Sequence, residues 1–359
     1  MEQRTVRPRI DDVAREAGVS KTAVSFAFNS PERLAPETAD RIRIIAERLG
    51  YTPHPVARML TQGATLTIGV LTPQPLSVVF ANPFFGTFAA GIGAAAEKAG
   101  YALQFISPLR GSLAGAMHHA TVDGVVAVGL AGDHPEVDEI RRTGVPIVLV
   151  DSTAVPGWSS VSIDDIGGAR AAAEHLLALG HRDLLVIGVE PPTPGSSATA
   201  GPDPNGVTAR RVAGYRQALS AAGAALADGA VVAGPATIEG GGEALDRAWR
   251  AGLRPTGILA MSDALAIGAI GALRARDLRV PTDVSVVGFD DIEVAAYLEP
   301  ALTTIHQPIA RKGREAIELL LAAIDARTGP AGAGATTPEH RVLPTHLVVR
   351  ASTGPFPRR

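Results

Sequence analysis

The sequence predicts an α/β protein in which a small all-α domain precedes a core with two doubly wound parallel sheets. Two patterns lead to this fold class. The first sixty residues carry apolar side chains at helical spacing, whereas from residue 65 onward short apolar runs alternate with helical stretches. The chain of 359 residues is also too long for one ordinary core, and its 46% hydrophobic content is sufficient for several.

Two short helices joined by a tight turn are predicted near the N-terminus. Apolar residues from Ile10 to Ala17 recur at the i, i+3, i+4, i+7 spacing of one helix face. Gly18 suits the left-handed position that ends a helix, and Ser20 can cap the next one. When residues 21–29 are placed on a helix, small and apolar side chains fall on one side. The opposite, outward side carries Lys21, Thr22, Ser25, Phe26 and Asn29.

A third helix is predicted from Pro36 to Leu49, because proline fits the first helical position and the apolar spacing repeats. Two helices around a Gly-containing turn, closed by a third, describe a helix-turn-helix module. In that geometry the second helix enters the major groove of DNA. Composition and periodicity alone leave open a small three-helix bundle that binds no nucleic acid.

The stretches IDDVAREAGVSKTAVSFAFN and TADRIRIIAERLGYTPHPVARML resemble the DNA-binding headpiece of the LacI/GalR family of transcriptional regulators. The resemblance covers nearly all of residues 10–62 without a gap. It implies base-reading places for Lys21, Thr22 and Phe26, and phosphate contacts or helix-end support for Ser25 and Asn29. Together with the capping Ser20, these residues form the predicted DNA-binding set of the headpiece.

Two positions depart from the pattern of that family. Arg9 stands where Thr is usual, so a cap worth about 1 kcal/mol is lost, which Asp11 and Asp12 partly offset through the helix dipole. Phe26 stands where many members carry Arg. A phenylalanine cannot donate to guanine but can pack on a thymine methyl group, so we expect a weaker guanine preference there. The alternative is that Phe26 folds back over its own helix.

The segment YTPHPVARML, residues 51–60, contains two prolines followed by a short helical stretch. Pro55 suits a first helical position, but so short a helix is marginal alone in water. The resemblance implies that this hinge folds against its dimer mate on DNA. Leu60, with Val56 and Ala57 beside it, would then wedge into the minor groove and kink the duplex. The alternative is an ordinary linker helix.

From residue 65 onward the sequence alternates between strand-like and helical stretches. The strand-like runs are TLTIGVL, ALQFI, GVVAVGL, PIVLVD, DLLVIGV, AVVAG, GILAMSD and VSVVGFDD, and helices are predicted at 84–99, 167–179, 208–222 and 264–276. This alternation predicts parallel sheets covered on both faces. Ligands in such folds bind at the carboxyl ends of the strands, so a cleft between two halves is the expected small-molecule site.

The same region resembles the two-lobed, type I periplasmic-binding-protein-like core of LacI/GalR regulators. Matching pieces include NPFFGTFAAGIGAAAEKAGY, ARRVAGYRQAL, MSDALAIGA and VPTDVSVVGFDD. The implied organisation is a headpiece at 1–51, a hinge at 52–63 and an effector-binding and dimerisation core at 64–355. The N-lobe is expected at about 64–163 plus 293–308, and the C-lobe at about 164–292 plus 309–350.

The resemblance implies that seven aromatic and polar residues are the candidates for effector binding. Aromatic faces can cover an apolar ring face, while Arg, Asp and Gln exchange hydrogen bonds with hydroxyls, so the expected effector is a sugar or sugar derivative. The alternative is that these residues only pack and cap loops. The Pro- and Gly-rich segment 190–206 is predicted to be a long loop beside the cleft. The candidates are Phe84, Phe85, Arg211, Asp263, Phe289, Asp290 and Gln307.

Several other classes of function are disfavoured. The absence of cysteine excludes disulfides and thiolate metal sites and fits a cytoplasmic protein, and neither a signal segment nor an apolar run of membrane-spanning length is evident. GIGAAA, residues 91–96, matches a dinucleotide fingerprint but lies inside a predicted helix. His118 and His119 lack the spacing of a helical metal site, so neither a metal nor a cofactor is expected.

These features together predict a non-enzymatic, bacterial transcriptional regulator, expected to be a repressor. Its affinity for a near-palindromic double-stranded DNA operator would be controlled by a carbohydrate effector. The alternative is a solute-binding module of a transport system, which shares the core fold but not the headpiece. The C-terminal ASTGPFPRR lacks the apolar heptad repeat that lactose-repressor-like tetramers need, so the resemblance implies a homodimer.

Overall fold

The computed structural model describes residues 8–52, 63–189, 206–328 and 337–356. The chain divides into two units, Met1–Thr65 and Leu66–Arg359. We call them the headpiece and the core and describe each by itself. No helix within the described ranges is long and apolar enough to cross a membrane.

The headpiece contains α1 (Ile10–Ala17), α2 (Lys21–Asn29) and α3 (Pro36–Leu49), with a 3₁₀ helix at Pro31–Arg33 between the last two. These bounds confirm the helices predicted from apolar spacing. Gly18 ends α1 with a φ of +66°. This left-handed backbone conformation is easy for glycine because it has no Cβ.

Side-chain contacts fix the three headpiece helices against one another. Val13, Val24 and Ile42, one from each helix, are fully buried and form the centre of the small core. Arg43 on α3 donates from Nε to the Ala27 carbonyl of α2 at 3.2 Å. Burial of one apolar stripe per helix is what stabilises helices this short.

At the start of α1, Asp12 makes a direct hydrogen bond in addition to the dipole effect expected of the first-turn acids. The N-cap residue is Arg9, whose backbone N–H donates to Asp12 Oδ2 at 2.9 Å. Asp12 thereby satisfies a backbone donor that a capping hydroxyl cannot reach. In contrast, Ser20 caps α2 in the usual way, since its Oγ accepts from the Ala23 N–H at 3.1 Å.

The core contains two six-stranded sheets. Sheet I has the order β11-β5-β4-β3-β1-β2 and is parallel throughout, and sheet II has the order β12-β10-β9-β8-β6-β7 and is parallel except for β12. The strands of sheet I are β1 (Thr67–Leu71), β2 (Ala102–Ile106), β3 (Gly124–Val128), β4 (Ile147–Val150), β5 (Ser159–Ile163) and β11 (His340–Leu343). Those of sheet II are β6 (Leu184–Val189), β7 (Val231–Gly234), β8 (Gly257–Ala260), β9 (Ser285–Asp290), β10 (Thr303–His306) and β12 (His346–Val348).

Helices cover both sheets, and β3, β4, β8 and β9 are buried along their whole length. This confirms the prediction of parallel sheets with both faces covered. The helices of the described core are α4 (Leu76–Ala81), α5 (Pro83–Lys98), α6 (Leu113–His119), α7 (Val137–Arg142), α8 (Asp165–Ala178), α9 (Val207–Ala221), α10 (Ile238–Arg250), α11 (Asp263–Arg274) and α12 (Ile309–Thr328), with a 3₁₀ helix at Glu293–Ala296.

The sheet order corrects the predicted lobe assignment after residue 292. Segment 293–308 was assigned to the N-lobe, but its strand β10 pairs with β9 in sheet II. Conversely, α12 packs on α5 and on β3, β4 and β5, and β11 pairs with β5, so 309–343 belongs with sheet I. We use N-lobe for sheet I with its helices and C-lobe for sheet II with its helices. Pairing partners, which local apolar patterns do not reveal, decide the assignment.

Gly91, the first glycine of the GIGAAA motif, serves helix packing. The motif lies inside α5, which confirms the predicted position that spoke against a nucleotide-binding fingerprint. At Gly91 a Cβ atom would collide with the backbone of Ala310 on α12. The glycine therefore allows α5 and α12 to approach closely over sheet I.

Candidate functional sites

The outward face of α2 is the candidate DNA-binding surface of the headpiece. Lys21 and Thr22 are exposed, while Ser25, Phe26 and Asn29 are half-buried. Lys21 forms an ion pair with Asp11 at 2.5 Å, and Asn29 Nδ2 donates to Ser25 Oγ at 3.2 Å. Both partners of the ion pair are largely exposed, so the contact is weak and the lysine can exchange it for DNA.

The two phenylalanines of α2 point in different directions. Phe28 packs inside the headpiece with its ring centroid 6.1 Å from that of Tyr51. Phe26 instead lies under the guanidinium of Arg33, whose central carbon is 5.3 Å from the ring centroid. Phe26 is therefore not part of the buried cluster, and an exposed cation from the 3₁₀ helix shares its side of the headpiece.

The hinge positions Val56, Ala57 and Leu60 lie outside the described residues, as does segment 190–205 of the predicted loop. Their predicted roles therefore stay predictions.

A cleft of about 1420 Å³ lies at the carboxyl ends of strands from both sheets. Thr72, Gly129 and Asp151 line it from the ends of β1, β3 and β4, and Met261 and Asp290 line it from the ends of β8 and β9. This is the position expected for a ligand in an open α/β fold. The volume exceeds the roughly 300–1,000 Å³ of common small-molecule pockets, so the space accommodates a sugar-sized compound.

Five of the seven predicted effector residues line this cleft: Phe84, Phe85, Arg211, Asp290 and Gln307. All except Phe85 are buried, so they form the floor of the cleft rather than its rim. Asn82 positions the aromatic pair, because its Oδ1 caps α5 by accepting from the Phe84 N–H at 3.0 Å.

Asp263 and Phe289, the other two candidates, lie behind the described lining of the cleft. Asp263 is fully buried and accepts from Thr304 Oγ1 at 2.5 Å and from the Ile292 N–H at 2.9 Å. Burial, with Asp290 nearby, raises the pKa of the Asp263 carboxyl well above its usual value. Phe289 is also fully buried, and the Arg211 guanidinium lies 3.5 Å from its ring centroid. Both residues support the floor from behind.

Arg211 is held by a carboxylate that sequence reasoning did not single out. Its Nε donates to Asp165 Oδ1 at 2.8 Å and its Nη1 donates to the Met261 carbonyl. Arg210 binds the other oxygen of Asp165 at 2.9 Å. Because Asp165 is completely buried at the start of α8, the pair fixes α9 to α8 and compensates the charge of Arg211.

A second buried chain of contacts joins the two lobes. Asp290 in the C-lobe accepts from Gln307 Nε2 at 2.5 Å. The side-chain oxygen Oε1 of Gln307 accepts in turn from Lys312 Nζ. Lys312 also donates to Asp151 Oδ2 in the N-lobe at 2.6 Å. The side chain of Lys312 is completely buried, although it was not a sequence candidate. The sequence does contain a sign that Lys312 is buried. The residue falls three positions after Ile309 and four before Ala316, on the apolar face of α12.

The carboxylates of the cleft occupy unusual environments. Burial raises the pKa of Asp290 to about 6, although Arg211, Gln307 and Lys312 act to lower it. Asp151 Oδ1 is buried and has no hydrogen-bond partner among the described residues. Asp151 and Asp290 have φ values of +50° and +123°, in a region that strains a residue with a Cβ. Strain, perturbed pKa and open hydrogen-bonding capacity coincide at ligand sites.

A helix-turn-helix headpiece and a two-lobed core with a cleft at the carboxyl ends of its strands are the features of a ligand-responsive DNA-binding regulator. The profile of bacterial regulatory proteins of the lacI family matches residues 9–54, and the profile of the periplasmic binding protein-like domain matches residues 173–353. The chain belongs to the LacI family of transcriptional regulators. This confirms the predicted family and, with it, the prediction of a DNA-binding transcriptional regulator.

The similarity extends over the whole chain. The HTH-type transcriptional regulator CelR of Thermobifida fusca is 33% identical over 98% of this chain and 99% of its own. A solved complex of a transcriptional regulator CelR with cellobiose has 32% identity and a TM-score of 0.67, covering 96% of this chain and all of the other. The lac repressor dimer bound to operator and the anti-inducer ONPF has 26% identity and a TM-score of 0.78, covering 97% of this chain and all of the other.

Proposed function

We propose that this protein is a homodimeric repressor whose affinity for a near-palindromic operator is set by a sugar bound between the lobes of the core. The observation that carries the proposal is the buried hydrogen-bonded chain from Asp290 through Gln307 and Lys312 to Asp151, which forms a polar floor shared by both lobes. Similar regulators solved with cellobiose and with ribose support a sugar as the class of effector.

The outward face of α2 and the hinge make the contacts of the proposed DNA complex. The outward residues Lys21, Thr22 and Phe26 read base edges, and Ser25 and Asn29 bind phosphate oxygens, while Ser20 caps the helix and offers its backbone N–H to the phosphates. The hinge adds the minor-groove contacts, with Leu60 as the wedge and Val56 and Ala57 beside it. The hinge assignment is supported by the family resemblance alone.

The effector contacts come from five of the predicted residues and from Asp151, which the structure adds to the lining of the cleft. Phe84 and Phe85 cover an apolar face of the sugar ring, while Asp290 and Gln307 exchange hydrogen bonds with hydroxyls. Arg211 donates from its remaining guanidinium hydrogens, since Asp165 and Met261 occupy only two of its nitrogens. Asp263 and Phe289 act by keeping Asp290 and Arg211 in place.

The coupling between effector and operator follows from linkage. A sugar that contacts Asp151 in one lobe and Asp290 in the other changes the free energy of lobe closure. If the two closure states present the headpieces differently to an operator, effector affinity and operator affinity must change by the same factor. A dimer is required because two half-sites about one helical turn apart must be bound together.

Selection of duplexes from a random DNA pool by the purified full-length protein tests the proposal. We expect a two-fold symmetric motif with half-sites about one helical turn apart, and a light-scattering mass of two chains of 36.9 kDa. Failure to enrich any motif at low salt, with or without sugars, would contradict base reading by the headpiece.

The effector part is tested by measuring operator affinity and core melting temperature across a panel of neutral monosaccharides and disaccharides. An effector should change both quantities in the wild type. Asp290→Ala should lose the response and keep operator binding. Asp277→Asn, at an exposed turn whose φ of +59° Asn tolerates, should keep both. A sugar-induced change in operator affinity that survives Asp290→Ala would place the effector elsewhere.

A further inference from the structure

Two histidine side chains lie side by side on neighbouring strands of sheet II. His306 ends β10 and His346 begins β12, and the two residues are direct partners in the antiparallel pairing of these strands. Their ring centroids are 4.8 Å apart, and the ring planes are tilted by 39°. Directly opposed residues of an antiparallel pair project from the same face of the sheet, so both imidazoles meet the same surroundings.

A carboxylate fixes the proton of one of the two rings. Asp291 Oδ2 lies 2.9 Å from His306 Nδ1, and Asp291 Oδ1 accepts from Arg350 Nη2 at 2.6 Å. Burial acts to raise the pKa of the Asp291 carboxyl, but the hydrogen bonds from Arg350 and His306 hold it below its usual value. An ionised carboxylate can only accept, so His306 Nδ1 carries the proton and the neutral ring keeps its lone pair on Nε2.

The second ring has open hydrogen-bonding capacity. The ring of His346 makes no hydrogen bond or ion pair with the described part of the chain, and its ring contact there is with His306. His346 is exposed, and the side chain of His306 is 36% exposed. An ion from solvent can therefore reach both rings, and His346 can turn about its side-chain bonds without breaking a contact of that part of the chain.

From this arrangement we propose that His306 and His346 together bind a divalent transition-metal ion of the class of Zn²⁺, Ni²⁺ and Cu²⁺. Imidazole nitrogens suit these ions. With bonds of about 2.0–2.1 Å, two nitrogens on one ion are roughly 3 Å apart, so a small turn of His346 is sufficient. The contact between Asp291 and His306 is the carboxylate–histidine arrangement that orients a metal ligand. Arg350 does not oppose the ion with an uncompensated charge, because it is paired with Asp291.

The protein supplies two ligands, and water completes the coordination. No group of three or more His, Asp or Glu side chains among the described residues is placed to hold a metal ion. The site is therefore an exchangeable one, because it lacks the four protein ligands of a closed structural zinc site. The two histidines also lie far apart in the sequence, so no motif of local spacing reveals them.

The site lies where the chain passes between the two lobes. Residues 307–308 lead from β10 of the C-lobe to α12 of the N-lobe, and residues 344–345 lead from β11 of the N-lobe back to β12. An ion held by both rings braces these two crossings against each other. Binding should stabilise the core whether or not the cleft holds an effector, so the proposal does not depend on the proposed effector.

Isothermal titration of the full-length protein with Zn²⁺, after removal of metal with EDTA and dialysis, tests the proposal. His346→Asn should weaken binding at least about tenfold, the lower limit for loss of even an outer-shell partner, and His306→Asn should do the same. The chain has nine histidines, so a matched control is needed. The double variant His118→Asn with His119→Asn removes an adjacent pair on α6 and should leave the affinity unchanged.

Two further measurements give readouts that a merely structural role would not move. Electron paramagnetic resonance of bound Cu²⁺ should show couplings to two imidazole nitrogens in the wild type and to one in His346→Asn. Zn²⁺ should raise the melting temperature of the wild type but not that of His346→Asn. Asp291→Asn should weaken Cu²⁺ binding about tenfold or more and keep the two-nitrogen signal, because Asp291 orients a ligand and is not one.

Three results would overturn the proposal. Equal Zn²⁺ affinity of the wild type and His346→Asn would show that the ring pair is a packing contact. A loss of affinity confined to the His118 and His119 control would place the ion on α6. No binding of Zn²⁺, Ni²⁺ or Cu²⁺ at concentrations where the ions stay soluble would exclude a metal site altogether.

Discussion

Lys312 and Asp151 form an ion pair of 2.6 Å that ties the start of α12 to the end of β4. The lysine side chain is completely buried, and its Nζ also lies 5.3 Å from the ring centroid of Phe84. A charged group in this position depends on its partner, because removal of one member leaves the other buried and uncompensated. The pair is therefore both a structural element and a part of the floor of the cleft.

Replacing Lys312 with Met is expected to lower the free energy of unfolding of the core by about 3–5 kcal/mol, since Asp151 keeps its charge without a partner. Lys312→Met combined with Asp151→Asn should recover part of this loss. Urea unfolding followed by tryptophan fluorescence measures the effect, because Trp158 and Trp249 both lie in the core. A double variant no more stable than Lys312→Met would show that the two residues are not coupled.

Two glycines of α11 should respond oppositely to alanine. A Cβ at Gly268 would collide with the carbonyl oxygen of Ile238 on α10, whereas a Cβ at the exposed Gly271 would meet nothing within 4 Å. Gly268→Ala should therefore lose about 1–3 kcal/mol of stability despite its better helix propensity. Gly271→Ala, its matched control, should gain up to about 1 kcal/mol. Equal effects in the same urea titration would indicate that propensity alone decides.

Phe26 is expected to influence the base preference of the headpiece. Phe26→Arg should shift the preferred base opposite this position toward guanine by about 1–3 kcal/mol, because a guanidinium can bind guanine O6 and N7 and a phenyl ring cannot. Competition binding with operator duplexes changed at single positions measures the shift. Arg41→Ala, an exposed change on α3, should leave base preference unaltered. If Phe26→Arg weakens all duplexes equally, Phe26 does not read a base.

The contribution of Asp290 to stability should depend on pH in a defined direction. Burial raises its pKa in the folded protein to about 6 from an ordinary 3.8. Between these values the folded state holds a proton that the unfolded state has lost, so this carboxyl lowers stability progressively as pH rises through that window. Asp290→Asn cannot ionise, and its stability relative to the wild type should therefore increase from pH 4 to pH 7, by roughly 2–3 kcal/mol.

Urea unfolding at several pH values between 4 and 7.5 checks this behaviour. Only the difference between the two proteins is informative, because other groups titrate in the same range. Burial lowers the pKa of His175 and His181, for example, which destabilises both proteins below about pH 6.5. A difference that stays constant with pH would mean that Asp290 titrates normally in the folded state.

Local sequence patterns predicted the helices and the apolar strands because both depend on spacing within a short window. The headpiece helices and strands such as β3 and β4 are of this kind. β5 (SSVSI) and β10 (TTIH) were not predicted, because their Ser and Thr residues resemble loop composition. Thr303 and Thr304 are nevertheless fully buried, where Asp263 and the C-terminal segment satisfy their hydroxyls.

From the residues alone, the candidate site was predictable where a residue lies at a strand end that its own neighbours define. Phe84, Phe85 and Arg211 lie on helices and were predicted from the family resemblance. Asp290 directly ends an apolar run, and the structure puts it on the cleft floor. Asp263 also follows such a run, but its side chain accepts a hydrogen bond from Thr304 on β10. That strand lies 41 residues later in the chain, so the local sequence does not reveal the contact. Lys312 lies near the start of α12, and only the three-dimensional fold brings it next to Asp151.

The late position of β11 in the chain has a consequence for protein synthesis. His340 pairs with Ser160 of β5, 180 residues earlier, so the outer edge of sheet I remains open until the last part of the chain leaves the ribosome. At about 5–20 residues per second this interval lasts roughly 10–40 s. During it, β5 presents unpaired backbone groups that can recruit a foreign strand. The N-lobe begins first during translation but is completed last, and the nascent chain is therefore most vulnerable to aggregation while the C-lobe is being made.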